Sequence, residues 1–218
     1  MVSTDLPGRV LAVALAFLAG FVDAVGFLHL GGFFVSFMSG NSTRLAVGIA
    51  QHHAEAAIAG ALIFSFLVGV ILGSLIGHGA AGRRRSIVLA FVAALLTAAA
   101  GLTQFGSVPS GIGIVALAMG TMNAVFERDD DIPFGVTYMT GALVKVGQRI
   151  ALALRGGPRT EWLPFLLLWA GLVSGAVAGS AIYPLLGLDS LWLAASASFA
   201  LAVAAARYGA WLFGPRKR

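Results

Sequence analysis

The chain contains no cysteine in its 218 residues, which excludes disulfides and thiolate metal sites and leaves the redox compartment undetermined. Charge is almost as scarce. Only 11% of residues are Asp, Glu, Lys or Arg, against about 25% in an ordinary soluble domain. A soluble surface cannot be assembled from that supply. Also missing are a Walker-type glycine loop, a nucleophile elbow and an HExxH pair, so an ATPase or a membrane hydrolase is disfavoured. No enzyme activity and no cofactor are expected. His29, His52, His53 and His78 lack a convergent set of carboxylates with ligand spacing, so no metal site is expected either.

What the chain has in abundance is apolar sequence: 59% hydrophobic residues and a mean hydropathy of +0.93. At about 20 residues per crossing, six or seven spans nearly exhaust the length, and one membrane domain is expected. The net charge of +5 comes from Lys and Arg placed between and after apolar runs, where they act as topology determinants. No nucleic-acid partner is expected. The first apolar run carries Asp23, lacks a convincing small-residue cleavage site and is echoed later in the chain, so its removal as a signal peptide is not expected.

Four runs read as full spans: Ala54 to Gly77, Ser86 to Phe105, Trp162 to Leu186 and Leu191 to Phe213. Two further pairs precede them. Val10 to Leu28 is followed by Phe33 to Ala50, and Ile112 to Phe126 by Phe134 to Leu154. The second member of each pair opens with an aromatic or β-branched stretch, Phe33-Phe34-Val35 or Phe134 to Tyr138. It then passes a small polar cluster and turns helical, and so predicts a broken strand-then-helix element.

The sequence also repeats itself. Gly20-Phe21-Val22-Asp23-Ala24-Val25, then Met38-Ser39-Gly40-Asn41 and Arg44, return as Gly120-Thr121-Met122-Asn123-Ala124-Val125, Met139-Thr140-Gly141 and Lys145. Gly69 and Gly73 match Gly175 and Gly179, as small residues that let helices approach closely. The offsets run from about 100 to 106 residues, which predicts two halves, 1–106 and 107–218. Each half has one order: an apolar helix, a broken element, a small-residue helix and a closing helix.

If the broken elements do not cross, each half has three spans. Arg9, Arg83 to Arg85, Arg128, Arg155, Arg159 and the Arg216-Lys217-Arg218 tail then share one face. The positive-inside bias prefers that arrangement, with both termini cytoplasmic. Three spans is an odd number, so the second half is inverted. The expected fold class is therefore an all-α integral membrane protein of about six transmembrane helices, in two three-span inverted repeats with two broken elements.

Non-helical backbone at membrane depth must face protein or a water-filled cavity, because lipid satisfies no N–H or C=O group. The broken elements are therefore the candidate site. Ser39, Gly40 and Asn41, and Thr140 and Gly141, have the composition of a turn opening a helix. Helix N-termini favour anions, and Arg44 and Lys145 add a cation about one turn into each. Their alternative role is snorkelling to the interface. Asp23 within an apolar helix is costly, which marks it as a pathway residue, a proton carrier or the ion-pair partner of Arg44. Asn123 at the matching position cannot titrate. Asp129 to Asp131 with Glu127 read as a solvated loop.

The Asp-Ala pair of Gly20-Phe21-Val22-Asp23-Ala24 and the later Phe37-Met38-Ser39-Gly40-Asn41 with Leu45 resemble the YoaK-like bacterial membrane proteins grouped as DUF1275. The usual Thr of the second motif is Ser39 here, which retains the hydroxyl. The resemblance implies a multi-pass protein of the bacterial inner membrane with about six spans, and implies no substrate. Together these features predict a small secondary transporter of an anionic or zwitterionic solute, binding between the two broken elements through Asp23, Ser39, Gly40, Asn41, Arg44, Asn123, Thr140, Gly141 and Lys145. An anion channel and a non-transporting membrane scaffold are the alternatives. The partners expected are the bilayer, the solute and, given the small mass, a second copy in a homodimer.

Overall fold

A computed structural model describes residues 6–127 and 138–212. Those residues form eight α-helices and no β-strand: α1 (Leu6–His29), α2 (Met38–Ala50), α3 (Glu55–Gly79), α4 (Arg84–Gln104), α5 (Val108–Met122), α6 (Met139–Leu154), α7 (Leu163–Leu186) and α8 (Leu191–Leu212). Five continuous stretches are long and apolar enough to cross a bilayer: Leu6–His29, Glu55–Gly79, Arg84–Gln104, Val108–Phe126 and Leu163–Arg207. The last holds α7 and most of α8, joined by a 3₁₀ turn at Gly187–Ser190.

The strand expected at the start of the first broken element is absent. Phe33, Phe34 and Val35 are neither helical nor in a sheet, and no strand among the described residues pairs with them. The side chains of Asp23 and Asn41 hold them instead. In the second element, residues 134–137 lie outside the described residues, as do Asp129 to Asp131 and the basic tail.

The helix ends follow local chemistry. α1 stops because Gly31 takes φ +64°, a left-handed conformation open to glycine, and the Gly32 N–H then reaches back to the Phe27 carbonyl at 2.8 Å. The same five-residue reach closes α4, from Ser107 to Leu102, and α6, from Gly157 to Leu152. A 3₁₀ turn at Asn123–Phe126 carries the chain on from α5.

Packing follows the repeat. α1 lies against α7, and α3 against α5, each pair running parallel. The crossings are made of backbone: a Cβ on Gly20 would overlap the Leu172 carbonyl, and one on Gly175 would overlap the Phe17 carbonyl. At the matched positions Gly120 meets the Phe66 carbonyl and Gly69 the Leu117 carbonyl. α1 thus packs on α7, and α5 on α3, through glycines at matched sequence positions. Without a hydrophobic driving force between helices in lipid, such close approach is what holds them together. Thr121 adds a hydrogen bond, its Oγ1 donating to the Gly69 carbonyl at 3.0 Å.

On the far side of α3 from Gly69, Gly73 and Gly77, the exposed side chains are Phe64, Leu67, Ile71 and Leu75. An apolar stripe at helical spacing opposite a buried glycine face is the pattern of a helix lying between protein and lipid. The best-buried helices are α1, α4 and α5. α4 also packs on α8.

Candidate functional site

After α1 the chain folds back beside it. Gly31 and Gly32 reverse its direction, and Val35 comes to rest against Gly26, where a Cβ would stand 2.8 Å from Val35 Cγ1. Asp23 fixes that return. Its Oδ1 accepts the N–H groups of Val35 and Ser36, both at 2.8 Å, and the residue is 6% exposed. Two amide dipoles therefore face a buried carboxylate, which stands where a partner strand or a water would otherwise have to satisfy those donors.

Asn41, fully buried in the first turns of α2, holds the other side of the break. It accepts from the Phe34 N–H at 3.0 Å and donates from Nδ2 to the Phe34 carbonyl. Neither Ser39 nor Asn41 caps α2; the residue before the helix is Phe37, with no side-chain capping bond. α6 likewise begins after Tyr138 without a side-chain cap.

Gly40 and Gly141 have a common role. A Cβ on Gly40 would press on the Phe34 ring, and one on Gly141 would overlap the Tyr138 ring, so each glycine seats an aromatic from the preceding segment. Arg44 is half-buried with its guanidinium carbon 4.7 Å from the centroid of Phe33. That geometry is a cation–π contact. A Cβ on Gly32 would also collide with the Arg44 guanidinium. Asp23 and Arg44 are thus engaged with different groups, and no ion pair joins them.

At the matched position Asn123 donates from Nδ2 to the Met119 carbonyl at 3.0 Å. Lys145 is half-buried, while Ser39 and Thr140 are exposed. The structure therefore brings Asp23, Gly40, Asn41 and Arg44 together around residues 33–36. Among the described residues, α2 lies on α3 and α6 on α7.

Two features escape sequence reasoning. Phe33 and Phe34 read as strand residues yet form the floor of the Arg44 contact and the rung held by Asn41; the adjacent Gly31-Gly32 pair is the signal for a reversal there. Arg84, grouped with surface arginines by its neighbours, is buried. Its Nε donates to the Ala124 carbonyl at 2.7 Å and its Nη2 to Glu127, tying the start of α4 to the end of α5.

A cavity of about 750 Å³ lies between α1, α7 and α8, lined by side chains such as Phe17, Phe21, Ile182, Leu193 and Leu201. The hydroxyl of Ser174 on its wall is turned to the Gly171 carbonyl at 2.9 Å. Among the described residues its lining holds no charged group. In the matched place α4 packs closely on α5, with Gly111 against Thr103.

A family profile described as "Protein of unknown function (DUF1275)" matches residues 11–204. The chain is 37% identical over 204 residues to the UPF0700 transmembrane protein RA0705 of Rhizobium meliloti (strain 1021), covering 91% of this chain and 86% of that one. No solved structure matches. The apolar helices and these likenesses agree on a multi-pass membrane protein in contact with the lipid bilayer, and the chain belongs to the DUF1275 family.

Proposed function

We propose that this protein is a small secondary transporter of an anionic or zwitterionic solute, built from two inverted three-span halves, residues 1–106 and 107–218. The observation that carries the reading is the break at residues 33–36, held beside Asp23 instead of continuing α1 to the membrane surface. Irregular backbone at that depth is tolerated where it is buried in protein or lines a pathway, and buried ionisable residues in spans mark pathways. The start of α2 and Arg44 provide positive potential at the same place, and Lys145 repeats it in the second half. Asp23 and Asn41 shape the site, whereas Ser39, Thr140, Arg44 and Lys145 face the solute.

The reciprocal glycine crossings support a duplicated plan, in which each half completes the other. Both termini are cytoplasmic in this reading, the protein resides in a bacterial inner membrane, and two copies associate.

The test is uptake by liposomes holding the purified protein, offered labelled organic anions and zwitterionic amino acids one at a time. Saturable uptake with counterflow, lost in the Arg44→Ala and Lys145→Ala variants, is expected. Linear, non-saturating flux would make it a channel. No flux for any solute, with both variants unchanged in every phenotype, would remove transport altogether.

A further inference from the structure

We propose that Asp23 is a proton-binding site and that its protonation releases residues 33–36 from α1. The carboxylate sits within a helix long and apolar enough to cross a bilayer and is closed off from solvent. It accepts two backbone N–H donors from one short segment, and no cation pairs with it among the described residues. A carboxylate in such surroundings is balanced by the dipoles of residues 35–37, the Ser36 hydroxyl among them, with no cation paired to it among the described residues, and a proton taken from water is its simplest means of neutralisation.

The consequence is mechanical. A proton on the other carboxyl oxygen leaves Oδ1 as a neutral carbonyl, and charge-assisted bonds are about twice as strong as neutral ones. The Val35 and Ser36 N–H groups then lose much of what holds them to α1. Segment 33–36 is also the segment on which Arg44 rests and which Asn41 grips, so its release alters the cation and the start of α2 together. The second half has the neutral Asn123 at the matched position, bonded to its own helix. Only one half therefore carries the switch.

The other titratable groups on the neighbouring elements are few. α5 and α7 contribute no Asp, Glu, Lys, Arg or His. On α1 the remaining groups are Arg9 and His29, on α2 Arg44, on α7 Tyr183, on the 3₁₀ turn that packs against α1 Asp189, and on α8 Arg207 and Tyr208. His29 is bonded to Tyr183 across α1 and α7, with Nδ1 3.1 Å from the hydroxyl. The inference deepens the transport reading by assigning its coupling ion, yet the switch requires no solute.

Hydrogen exchange of the Val35 and Ser36 amides, each rate divided by its unstructured-chain rate at the same pH, reads the switch in the intact protein in lipid. Protection is expected to fall roughly tenfold from alkaline to acidic medium, the scale of losing the charged share of such bonds. Asp23→Asn keeps the carbonyl acceptor and has no proton to gain, so its two amides should sit at the acidic level at every pH. His29→Gln and Asp189→Asn should each keep the wild-type response, and amides within α4, such as that of Val92, should not move. Unchanged protection of Val35 and Ser36 across the pH series would overturn the proposal, and the wild type alone decides this if Asp23→Asn fails to fold. So would a parallel fall in α4, or loss of the response in His29→Gln or Asp189→Asn. A pH response without any solute flux leaves the switch standing and removes transport; flux without the response does the reverse.

Discussion

Asn41 holds the backbone of Phe34 at both of its hydrogen-bonding groups, accepting from the N–H at 3.0 Å and donating to the carbonyl at 2.5 Å. The amide side chain thereby does the work of a neighbouring strand for one residue. Leu or Val at position 41 would leave two part-buried backbone groups without that partner, and an ionised Asp would satisfy only the N–H.

Asn41→Ala is accordingly expected to destabilise the break by about 2–4 kcal/mol, since each buried unsatisfied group costs about 1–3 kcal/mol. The Phe34 amide should lose hydrogen-exchange protection while amides of α4 keep theirs. Asn41→Asp retains the acceptor and should protect the Phe34 N–H better than alanine does. Equal protection in wild type and Asn41→Ala would mean that the pair contributes nothing.

The glycine crossings yield a paired prediction. Gly20→Ala and Gly175→Ala place a methyl group on a carbonyl of the facing helix, which must move for either variant to fold. Each should cost more than about 3 kcal/mol, as expected of overpacking against backbone that cannot rotate away. Gly101 lies in α4 with nothing within 4 Å of where an alanine methyl group would stand, and Gly101→Ala should stabilise by roughly 0.5–1 kcal/mol through helix propensity. Thermal unfolding in one detergent ranks the three. The order fails if Gly101→Ala proves as harmful as Gly175→Ala.

A third prediction concerns Arg84, whose guanidinium meets the Ala124 carbonyl and Glu127 at once, next to Gly77. Lysine has one nitrogen where arginine has a planar fork, so Arg84→Lys cannot hold both acceptors in the same positions. It should lower stability by about 1–2 kcal/mol, and Glu127→Ala by about 1 kcal/mol or less, because Glu127 is exposed and Arg84 keeps the Ala124 carbonyl. A double-mutant cycle across Arg84 and Glu127 measures the coupling directly. A coupling near zero would reduce the pair to a surface contact.

How much of this is legible in the sequence follows from which forces are local. The spans are, because twenty apolar residues have few alternatives: Trp162 to Leu186 is observed as Leu163–Leu186, and Ala54 to Gly77 as Glu55–Gly79. The small-residue positions are too, since Gly69 and Gly175 announce close approach, although which helix each meets is not. The break is where local reading fails. Phe33-Phe34-Val35 has strand composition, and what decides against a strand is the reach of Asp23 and Asn41 from two different helices, a tertiary fact with no local signature. Arg84 is hidden by its company, because Arg83 and Arg85 on either side give all three the look of a cytoplasmic loop.

The last prediction addresses the direction of the halves. Because the chain has no cysteine, a single one can be placed at Ser39 or Thr140 without background labelling. Both positions are exposed and lie at matched places, the second residue of α2 and of α6. In inverted halves, matched residues approach the membrane from opposite sides. A charged, impermeant maleimide added outside intact cells should therefore block one of Ser39→Cys and Thr140→Cys and leave the other to be labelled only after the membrane is opened. The parallel runs of α1 with α7 and of α3 with α5 make the result sharp, since a half that crossed four times would also align them but would present both cysteines on one side. Labelling of both from the same face would make the halves parallel and would move Arg83 to Arg85 across the membrane from Arg9, against the charge bias on which the inverted reading depends.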